Sequence, residues 1–476
     1  MFDAYVAIVP AACVVLAGLA AMTAEAFRDP GERLPIAGLA GIGLAAAAVA
    51  AILLWDRRAE SFGVVSADNF GLFVTLVLVV VGMLTVALST QVLERDAIPQ
   101  GEYYALMLFA VAGMMLMAIA VDLLVLFLAL EILSLGLYVL TGIRRDDRLS
   151  TEAAFKYFLL GGFSSAFFLY GIALTYGLVG STRLDRIGVV MSGQPLGPLT
   201  FLALAMLLVG FAFKVSAVPF HMWTPDAYEG APAVVTGFMS TGVKAAAFAA
   251  FVRVFLSAFG SLQTDWTPVL WTLAVATMIV GTVVGVTQTN LKRMLAYSSI
   301  AHAGYLLVAM VAGNEVGKGA ILFYLLAYAV TNIGAFGVIA AIGTREHAND
   351  ELRDYAGLWN RQPVLAALMT VFLLSLGGLP PTAGFIGKWY LFSAAVSAGF
   401  YDLAIIGVLT SVISVFFYLR VVVMMYMTER AAPSTVIRPS RLVLAALVAA
   451  TIAIFYLGLL PARILDLAAA SVATIL

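Results

Sequence analysis

Fourteen long apolar segments account for most of this chain of 476 residues. A helix needs about 20 apolar residues to cross the ~30 Å hydrocarbon core of a bilayer. The segments of suitable length are 4–25, 34–54, 69–91, 103–120, 122–143, 151–178, 199–222, 233–258, 268–290, 293–312, 316–343, 363–397, 402–428 and 441–460. Only short polar linkers separate them. The sequence therefore predicts an all-α polytopic membrane protein with about fourteen transmembrane helices, forming a single membrane domain over residues 1–476.

The composition excludes a soluble protein. Hydrophobic residues make up 63% of the chain, charged residues 11%, and the mean hydropathy is +1.04. Soluble domains contain about 25% charged residues. The net charge of -1 and the absence of a basic run argue against nucleic acid as a partner. The first apolar segment lacks the basic lead of a cleavable signal peptide, so we expect it to be retained as a span.

The residues that usually hold cofactors are scarce. Cys13 is the only cysteine, which excludes an intrachain disulfide and a cysteine-ligated cluster or zinc site. The three histidines, His221, His302 and His347, are scattered, which argues against a bis-histidine haem. "GLAGIG" (38–43) has the wrong spacing for a phosphate-binding loop and lies in an apolar run. We expect no cofactor and no metal in this chain.

Basic residues in alternate linkers predict the orientation, because cytoplasmic loops are richer in lysine and arginine. One set of linkers and span ends holds Arg28, Arg33, Arg95, Arg144, Arg145, Arg148, Lys292, Arg293, Arg345, Arg353, Arg361, Arg430, Arg438 and Arg441. The other set holds Arg57, Arg58, Arg183, Arg186, Lys318 and Arg463, with Arg253 near a helix end. The richer side should be cytoplasmic. With an even number of spans, both termini are then predicted on the periplasmic side of a bacterial inner membrane.

Five ionisable residues inside apolar spans are candidate functional residues: Glu131, Lys214, Lys244, His302 and Lys388. The twelfth residue of a helical segment, as Lys244 is, lies about 17 Å from its start, near the middle of the membrane. A charged side chain there costs about 2.5–3.5 kcal/mol even on the most lenient insertion scale. Burial disfavours the charged form of a lysine or a carboxylate, and a neighbouring opposite charge counteracts this. A Glu–Lys pair that forms and breaks would therefore act as a proton switch.

Structural roles remain open for some of these residues. Lys214 would reach the interface if its helix ended at Pro219, Glu131 could be a neutral acid bonded between helices, and His302 could be a core histidine. Lys244 is too deep for such a role. Asp122 and Glu102, at span ends, are better explained as interfacial residues, and Arg253 and Arg420 as helix caps.

Two spans carry signals that interrupt a helix, because proline lacks the amide donor and clashes with the preceding turn. The seventh, "GFAFKVSAVPFHMW" (210–223), has Lys214 ahead of Pro219. The twelfth, "LSLGGLPPTAGFIGKWY" (374–390), has Lys388 two turns beyond Gly377, Gly378, Pro380 and Pro381. A packing kink alone would not need the lysine that accompanies each break. Non-helical backbone at membrane depth is tolerated only where protein or a water-filled cavity surrounds it.

Paired interrupted spans indicate an internal repeat with ion sites at the breaks. We expect two five-helix repeats, spans 4–8 over residues 103–258 and spans 9–13 over residues 268–428. An odd number of helices per unit inverts the second copy. Three helices over residues 1–91 precede the repeats, and one helix over 441–460 follows them.

Four stretches resemble the antiporter-like membrane subunits of respiratory complex I. They are "FAFKVSAVPFHMWTPDAYEGAP" (211–232), "STGVKAAAFAAFVR" (240–253), "NLKRMLAYSSIAHAGYLLVA" (290–309) and "GGLPPTAGFIGKWYLF" (377–392). The similarity covers essentially all fourteen spans. The largest such subunits carry a long lateral helix, for which this chain leaves no room after span fourteen, and another typically carries glutamate in place of Lys388.

The resemblance implies proton translocation coupled to quinone reduction elsewhere in a complex. It implies Glu131 and Lys214 as a coupled pair, Lys244 as the central proton carrier and Lys388 as the terminal one. It also implies partner subunits that hold FMN and iron–sulfur clusters, paralogous antiporter-like subunits and membrane lipids as neighbours, and a quinone that is used by the complex but not bound here.

Three other functions compete with this interpretation. A subunit of a multisubunit sodium/proton antiporter would share much the same motifs. A haem- or quinone-binding redox protein is disfavoured by the single cysteine and the one deep histidine. A purely structural scaffold would not need buried lysines.

Overall fold

The computed structural model describes residues 2–28, 35–193, 197–344, 350–429 and 438–475. Arg33, Arg345, His347 and Arg430, which were considered above, lie outside these ranges. The α-helices in the described residues are α1 (Val9–Ala26), α2 (Ile36–Leu54), α3 (Asn69–Arg95), α4 (Gln100–Ile119), α5 (Leu123–Thr141), α6 (Arg148–Val179), α7 (Leu184–Met191), α8 (Pro198–Val215), α9 (Trp223–Gly230), α10 (Ala233–Phe238), α11 (Lys244–Phe251), α12 (Gln263–Thr287), α13 (Leu291–Ala312), α14 (Glu315–Ile342), α15 (Leu358–Arg361), α16 (Pro363–Gly377), α17 (Ala383–Ser397), α18 (Tyr401–Met427), α19 (Arg441–Leu459) and α20 (Ala462–Val472).

Shorter elements complete the fold. The 3₁₀ segments are Phe2–Ile8, Gly260–Leu262 and Leu352–Tyr355, and a two-stranded antiparallel hairpin pairs β1 (Ala59–Ser61) with β2 (Val65–Ala67). Two π-helical segments, Met239–Val243 and Val252–Ala258, flank α11 and make one continuous helical stretch over Ala233–Ala258.

Thirteen helical stretches within the described ranges are long and apolar enough to cross a membrane. The remaining predicted span, 363–397, is divided into α16 and α17. The prediction of an all-α, multi-pass membrane protein is therefore confirmed. The largest differences in boundary concern the seventh span, whose first helix ends at Val215, and the ninth, which begins at Gly260 because polar residues there are helical.

Both predicted helix interruptions are present. After α8, Ser216 adopts a left-handed conformation with φ of 65°, and α9 begins only at Trp223, so Pro219 lies in the gap. After α16, Gly378 has φ of 79°, and α17 begins at Ala383, beyond Pro380 and Pro381. A left-handed residue ends a helix by turning the chain away from the helix axis. Spans seven and twelve are thus discontinuous, as expected.

Three helical stretches form the centre of the molecule. In the most apolar stretch of Ala233–Ala258 and of α13, 94% of the residues are buried inside the protein. In the corresponding stretch of α14, 89% are buried. The peripheral helices α1, α2 and α19 bury only 33% of theirs. Because the bilayer solvates apolar residues, a buried position here means contact with protein and not removal from water. Lys244 and His302 are therefore enclosed by other helices.

Three of the predicted arginine-rich loops meet on one face. The Asp96 carboxylate, between α3 and α4, forms ion pairs with Arg95 and with Arg144 of the α5–α6 loop, and Arg95 also donates to the carbonyl of Gly343 after α14. Burial opposes ionisation of Asp96, but the two guanidinium groups outweigh it, so the pKa of this carboxyl lies below its usual value. The ion pairs and the hydrogen bond to Gly343 together join three loops on that face.

A set of contacts at the start of α5 recurs at the start of α13. The backbone of Leu123 donates to Thr182 and that of Leu184 to Val121, beside a bridge between Asp122 and Arg183. In the same way Leu291 donates to Asp350 and Leu352 to Thr289, beside a bridge between Asn290 and Glu351. Each residue of the second set lies the same number of positions further along the chain. Asp122 and Asn290 each cap their helix with a side-chain oxygen.

The two sets of contacts lie on opposite faces. α5 ends beside the loop that carries Arg144, whose partner Asp96 lies on the arginine-rich face. α13 begins on that same face, next to Asp350. An arginine from a later helix joins each set: Arg253 donates to the Ala118 carbonyl, and Arg420 donates to the Val286 carbonyl.

Candidate functional site

Lys214 lies in the last turn of α8 and is almost completely buried, with 3% of its surface exposed. Its Nζ donates to the Ser134 hydroxyl of α5 at 2.7 Å. The same Nζ lies 5.8 Å and 5.7 Å from the ring centroids of Tyr138 and Tyr157. These rings offer their negatively charged faces to the ammonium group, which partly replaces the water that burial removes.

Glu131 lies one turn before Ser134 on α5 and is only half-buried. Its carboxylate accepts a hydrogen bond from the Ser165 hydroxyl of α6. No ion pair joins Glu131 to Lys214 within the part of the chain that is described, although the carboxylate is near enough to act on the lysine electrostatically. The two residues of the predicted pair therefore bond to different partners, Lys214 to Ser134 and Glu131 to Ser165, and the charged groups do not touch.

Lys244 is the first residue of α11, directly after the π-helical segment Met239–Val243. Its side chain is 2% exposed, and its Nζ donates to both the carbonyl and the hydroxyl of Ser299 on α13. The hydroxyl of Tyr328 donates to the Ser299 hydroxyl at 2.8 Å, and the Tyr328 ring centroid lies 5.9 Å from Nζ. π-segments recur at functional sites, because the extra residue redirects a side chain.

His302 lies one turn after Ser299 on α13 and is 3% exposed. Its Nδ1 bonds to the Tyr324 hydroxyl, and its Nε2 lies 3.2 Å from the Tyr418 hydroxyl. A small cavity of about 10 Å³ lies beside it and is also lined by Thr331, Ser375 and Leu376. Such a space is about the minimum for one water molecule.

Lys388, on α17, is 5% exposed and is bonded to the end of the preceding half-helix. Its Nζ donates to the carbonyls of Leu376 and Gly377 at 2.8 Å and 3.1 Å, and to the Ser411 hydroxyl of α18 at 2.8 Å. The Tyr305 ring centroid lies 5.0 Å from Nζ. Leu376 also lines the cavity beside His302, so this residue contacts both Lys388 and the cavity.

The arrangement favours proton exchange over fixed charge. None of the three lysines has a carboxylate within ion-pair distance among the described residues. A buried ammonium without a counter-ion is poised to lose its proton, since burial penalises only the charged form. Serine and tyrosine hydroxyls both donate and accept, so they suit proton transfer between such groups. The described residues contain no group of metal-binding side chains.

Comparisons with known proteins identify the family of this chain. The family described as "NADH:quinone oxidoreductase/Mrp antiporter, TM" matches residues 120–414. NADH-quinone oxidoreductase subunit N of Trichlorobacter lovleyi is 49% identical over 422 residues, which cover 88% of this chain and 87% of that protein. The chain belongs to the NADH-quinone oxidoreductase subunit N family. The family resemblance inferred from the four quoted stretches is confirmed.

Two solved structures extend the comparison. A chain of respiratory complex I from Thermus thermophilus, solved with bound aureothin, is 37% identical to this member of the subunit N family. It has a TM-score of 0.83 and covers 97% of this chain and 99% of its own length. A chain of the Mrp complex of a Dietzia species has a TM-score of 0.86 at 21% identity, covering 100% of this chain and 98% of that one. That second likeness shows a common fold alone.

Sequence reasoning about this subunit N family member missed the hydroxyl partners of the lysines. Ser134, Ser299 and Ser411 each accept a hydrogen bond from a different lysine, and Tyr324, Tyr328 and Tyr418 surround His302. Helical spacing would have pointed to two of the serines, because Ser134 lies one turn after Glu131 and Ser299 lies one turn before His302.

Arg253, interpreted above as a helix cap, lies deeper in the protein than that role requires. It is fully buried, donates to the Ala118 carbonyl, and forms two hydrogen bonds of 2.6 Å and 2.7 Å with the carboxylate of Asp68. Asp68 in turn caps α3. Arg420 does act at a helix end, where it donates to the carbonyls of Val286 and Gln288.

Proposed function

We propose that this chain is a proton-translocating membrane subunit of a respiratory NADH-quinone oxidoreductase. The observation that carries the proposal is the buried series of Lys214, Lys244 and Lys388, each bonded to hydroxyl or carbonyl groups and none to a carboxylate. A scaffold would gain nothing from three such groups, since each costs several kcal/mol to bury in the charged form. The relatives named above carry the name of that complex.

In this proposal each ionisable residue has its own role. Glu131 and Lys214 form the switch at one end, where Ser134 accepts a hydrogen bond from Lys214 and Ser165 donates one to Glu131. Lys244 is the central carrier, and Lys388 is the terminal one. His302 exchanges protons between Lys244 and Lys388. Its bonds to Tyr324 and Tyr418, and the cavity that it lines together with Leu376, support this role.

The redox chemistry belongs to the partners. We assign FMN and iron–sulfur clusters to other subunits, as the family resemblance implies. Cys13 is the only cysteine, so this chain cannot supply the ligand set of a cysteine-ligated cluster. The quinone is used by the complex elsewhere. Paralogous antiporter-like subunits and membrane lipids are the neighbours we assign to this chain. It is thus part of a translocase and carries out no oxidation or reduction itself.

We place the protein in a bacterial inner membrane with both termini on the periplasmic side. The shared arginine-rich face of Asp96, Arg144 and Gly343 supports a cytoplasmic assignment of that face. A single cysteine at Asp146, in a Cys13→Ser background, should react with an impermeant thiol reagent only from the cytoplasmic side. Labelling from the periplasm alone would reverse the orientation.

We also propose that residues 103–258 and 268–428 are inverted repeats. The contacts that recur at Asp122 and Asn290, on opposite faces, support this division, as do the matching bonds of Arg253 and Arg420. The three helices before residue 91 and the helix at 441–460 then lie outside both units.

The decisive test of the carrier role compares two substitutions of Lys244. Lys244→Ala should abolish proton uptake by proteoliposomes that contain the complex. Lys244→Arg should be nearly as damaging, because a guanidinium stays protonated in proteins and cannot release its proton. Uptake that survives in the Arg variant but not in the Ala variant would make Lys244 an electrostatic anchor.

Membership in a sodium/proton antiporter is the second candidate, and the fold shared with the Dietzia Mrp chain is what favours it. Affinity purification under mild detergent separates the two. We expect NADH dehydrogenase subunits with bound flavin to be recovered with the chain. Recovery of antiporter subunits alone would overturn the proposal.

A further inference from the structure

Asn332, on α14, is completely buried, and only one end of its side-chain amide is hydrogen-bonded. Its Nδ2 donates to the Ser240 hydroxyl at 2.7 Å, whereas its Oδ1 has no partner within the described ranges. The Ser240 hydroxyl donates its own proton to the Gly237 carbonyl, so it accepts from Asn332, which fixes the nitrogen on that side. A buried acceptor without a donor is unfavourable, so we expect this oxygen to accept a hydrogen bond in some state of the protein.

The Lys244 ammonium is a donor one helical turn beyond Ser240. Side chains on a helix lean toward the N-terminus of that helix. Lys244 therefore leans toward the level of Ser240, one turn earlier. Asn332 leans toward Tyr328, one turn earlier on α14, and the Tyr328 ring centroid is 5.9 Å from the lysine Nζ. Asn332 bonds to Ser240, one turn before Lys244, and the Lys244 ammonium faces Tyr328, one turn before Asn332. The free oxygen and the ammonium therefore lie on adjacent turns between the same two helical stretches.

Lys244 also has donor capacity to spare. An ammonium group carries three protons. In this structure Lys244 donates to the carbonyl and the hydroxyl of Ser299, which leaves one proton without an acceptor among the described residues. An unused donor and an unused acceptor, both buried, lie in the same part of the molecule.

We propose that Asn332 Oδ1 is a second acceptor for the Lys244 ammonium, so that this lysine has two bonded positions. In one it bonds to Ser299 of α13, as seen here; in the other it swings to Asn332 of α14. Asn332 is then a positioning residue, and no covalent bond changes. The inference rests on the proposed role of Lys244 as a carrier, because a carrier must present its proton to different neighbours in turn.

The test uses the complete complex in proteoliposomes and measures the initial rate of NADH-driven proton uptake, normalised to assembled complex. Asn332→Leu keeps a similar volume but removes the acceptor. We expect it to lower proton uptake by about tenfold, as losing one hydrogen bond to a charged group would. Ser240→Ala is the matched control: it removes the partner of Nδ2, leaves Oδ1 in place, and should pump close to the wild-type level.

Each outcome decides the matter. Normal uptake by Asn332→Leu overturns the proposal, and so does an equal loss in Ser240→Ala, which would make Asn332 an anchor of the π-helical segment. If Asn332→Leu fails to assemble, Asn332→Asp replaces it. Its carboxylate should hold the ammonium and stop uptake, so wild-type uptake by that variant would refute the acceptor. Lys244→Ala is measured in parallel, and normal uptake there would count against the carrier role itself and not against Asn332 alone.

Discussion

The two broken helices have similar backbones but differ in what their lysines hold. At the first break, Ser216 and Ala217 donate backwards to Phe213 and Ala212; at the second, Gly378 and Leu379 donate to Ser375 and Leu374. A left-handed residue ends the first half-helix in both cases. A proline also follows at the third position after it, Pro219 in one and Pro381 in the other. The path of the chain is thus repeated.

The lysines satisfy different groups. Lys388 donates to the Leu376 and Gly377 carbonyls that its break sets free. At the first break, the Trp223 indole nitrogen donates to the Phe213 carbonyl, and Lys214 turns instead to Ser134. Lys214 can therefore change position without leaving backbone carbonyls unpaired, whereas Lys388 cannot. Lys388 therefore also stabilises the backbone of its break, whereas Lys214 does not bond to the backbone of its own break.

The largest expected effect is at Lys388. Lys388→Met keeps the length of the side chain but leaves two buried carbonyls without donors, at about 1–3 kcal/mol each. We expect both proton uptake and the amount of assembled complex to fall. Blue-native electrophoresis and proton uptake measure the two effects. A Lys388→Met complex that assembles at the wild-type level would remove the distinction between the breaks.

Lys214→Met should lose proton uptake and coupled quinone reduction while assembly is preserved. The Ser134 hydroxyl that it releases still bonds to the Leu130 carbonyl, so no group is left fully unpaired. Glu131→Ala should behave likewise, because among the described residues the half-buried carboxylate has only Ser165 as a hydrogen-bond partner. If both variants pump normally, the first break is purely structural.

Gly378→Ala tests the backbone of the second break. A residue with a side chain in the left-handed region costs about 1–2 kcal/mol, and a Cβ would lie 2.9 Å from Cδ of Lys388. We expect a lower thermal transition in detergent and slower proton uptake. Ser216→Ala is the control: Ser216 already has a side chain in this conformation, so only its bond from Thr224 is lost. Equal destabilisation of both variants would contradict the argument.

Trp223→Phe should have the smallest effect. It removes the donor to Phe213, worth about 0.5–1.5 kcal/mol, while the stacking on Tyr157 is largely retained. Thermal unfolding should shift slightly, and proton uptake should not change. A loss of uptake as large as that of Lys214→Met would show that the first break depends on its backbone bonds after all.

The sequence predicted the spans well because apolar length alone identifies a membrane helix. It predicted the breaks because proline and glycine act locally at Pro219, Gly378 and Pro380. It misplaced the end of α8 by several residues, since a left-handed serine at position 216 has no reliable signal. The predicted ninth span also began too late, at residue 268. The polar residues before Trp266 are helical, although their hydropathy does not indicate a membrane helix.

The side-chain partners were beyond reach for a different reason. Asp68 and Arg253 lie 185 positions apart, and no local pattern joins them. Lys244 and Ser299 meet only because α11 and α13 pass each other in the core. Lysines in apolar spans were conspicuous because they are rare there. Serine and tyrosine are common in membrane helices, so nothing marked Ser134, Ser299 or Tyr328 beforehand.

The tyrosine ring beside each lysine also makes that lysine's charge observable. A positive charge 5.0 Å from the ring of Tyr305, or 5.9 Å from that of Tyr328, shifts the electronic energy levels of the phenol. Gain or loss of the proton therefore changes the spectrum of one identifiable ring. Three variants, each with one fluorotyrosine at Tyr157, Tyr328 or Tyr305, give one fluorine resonance for each lysine. The order in which the lysines change charge during turnover can then be read from the order in which these signals move.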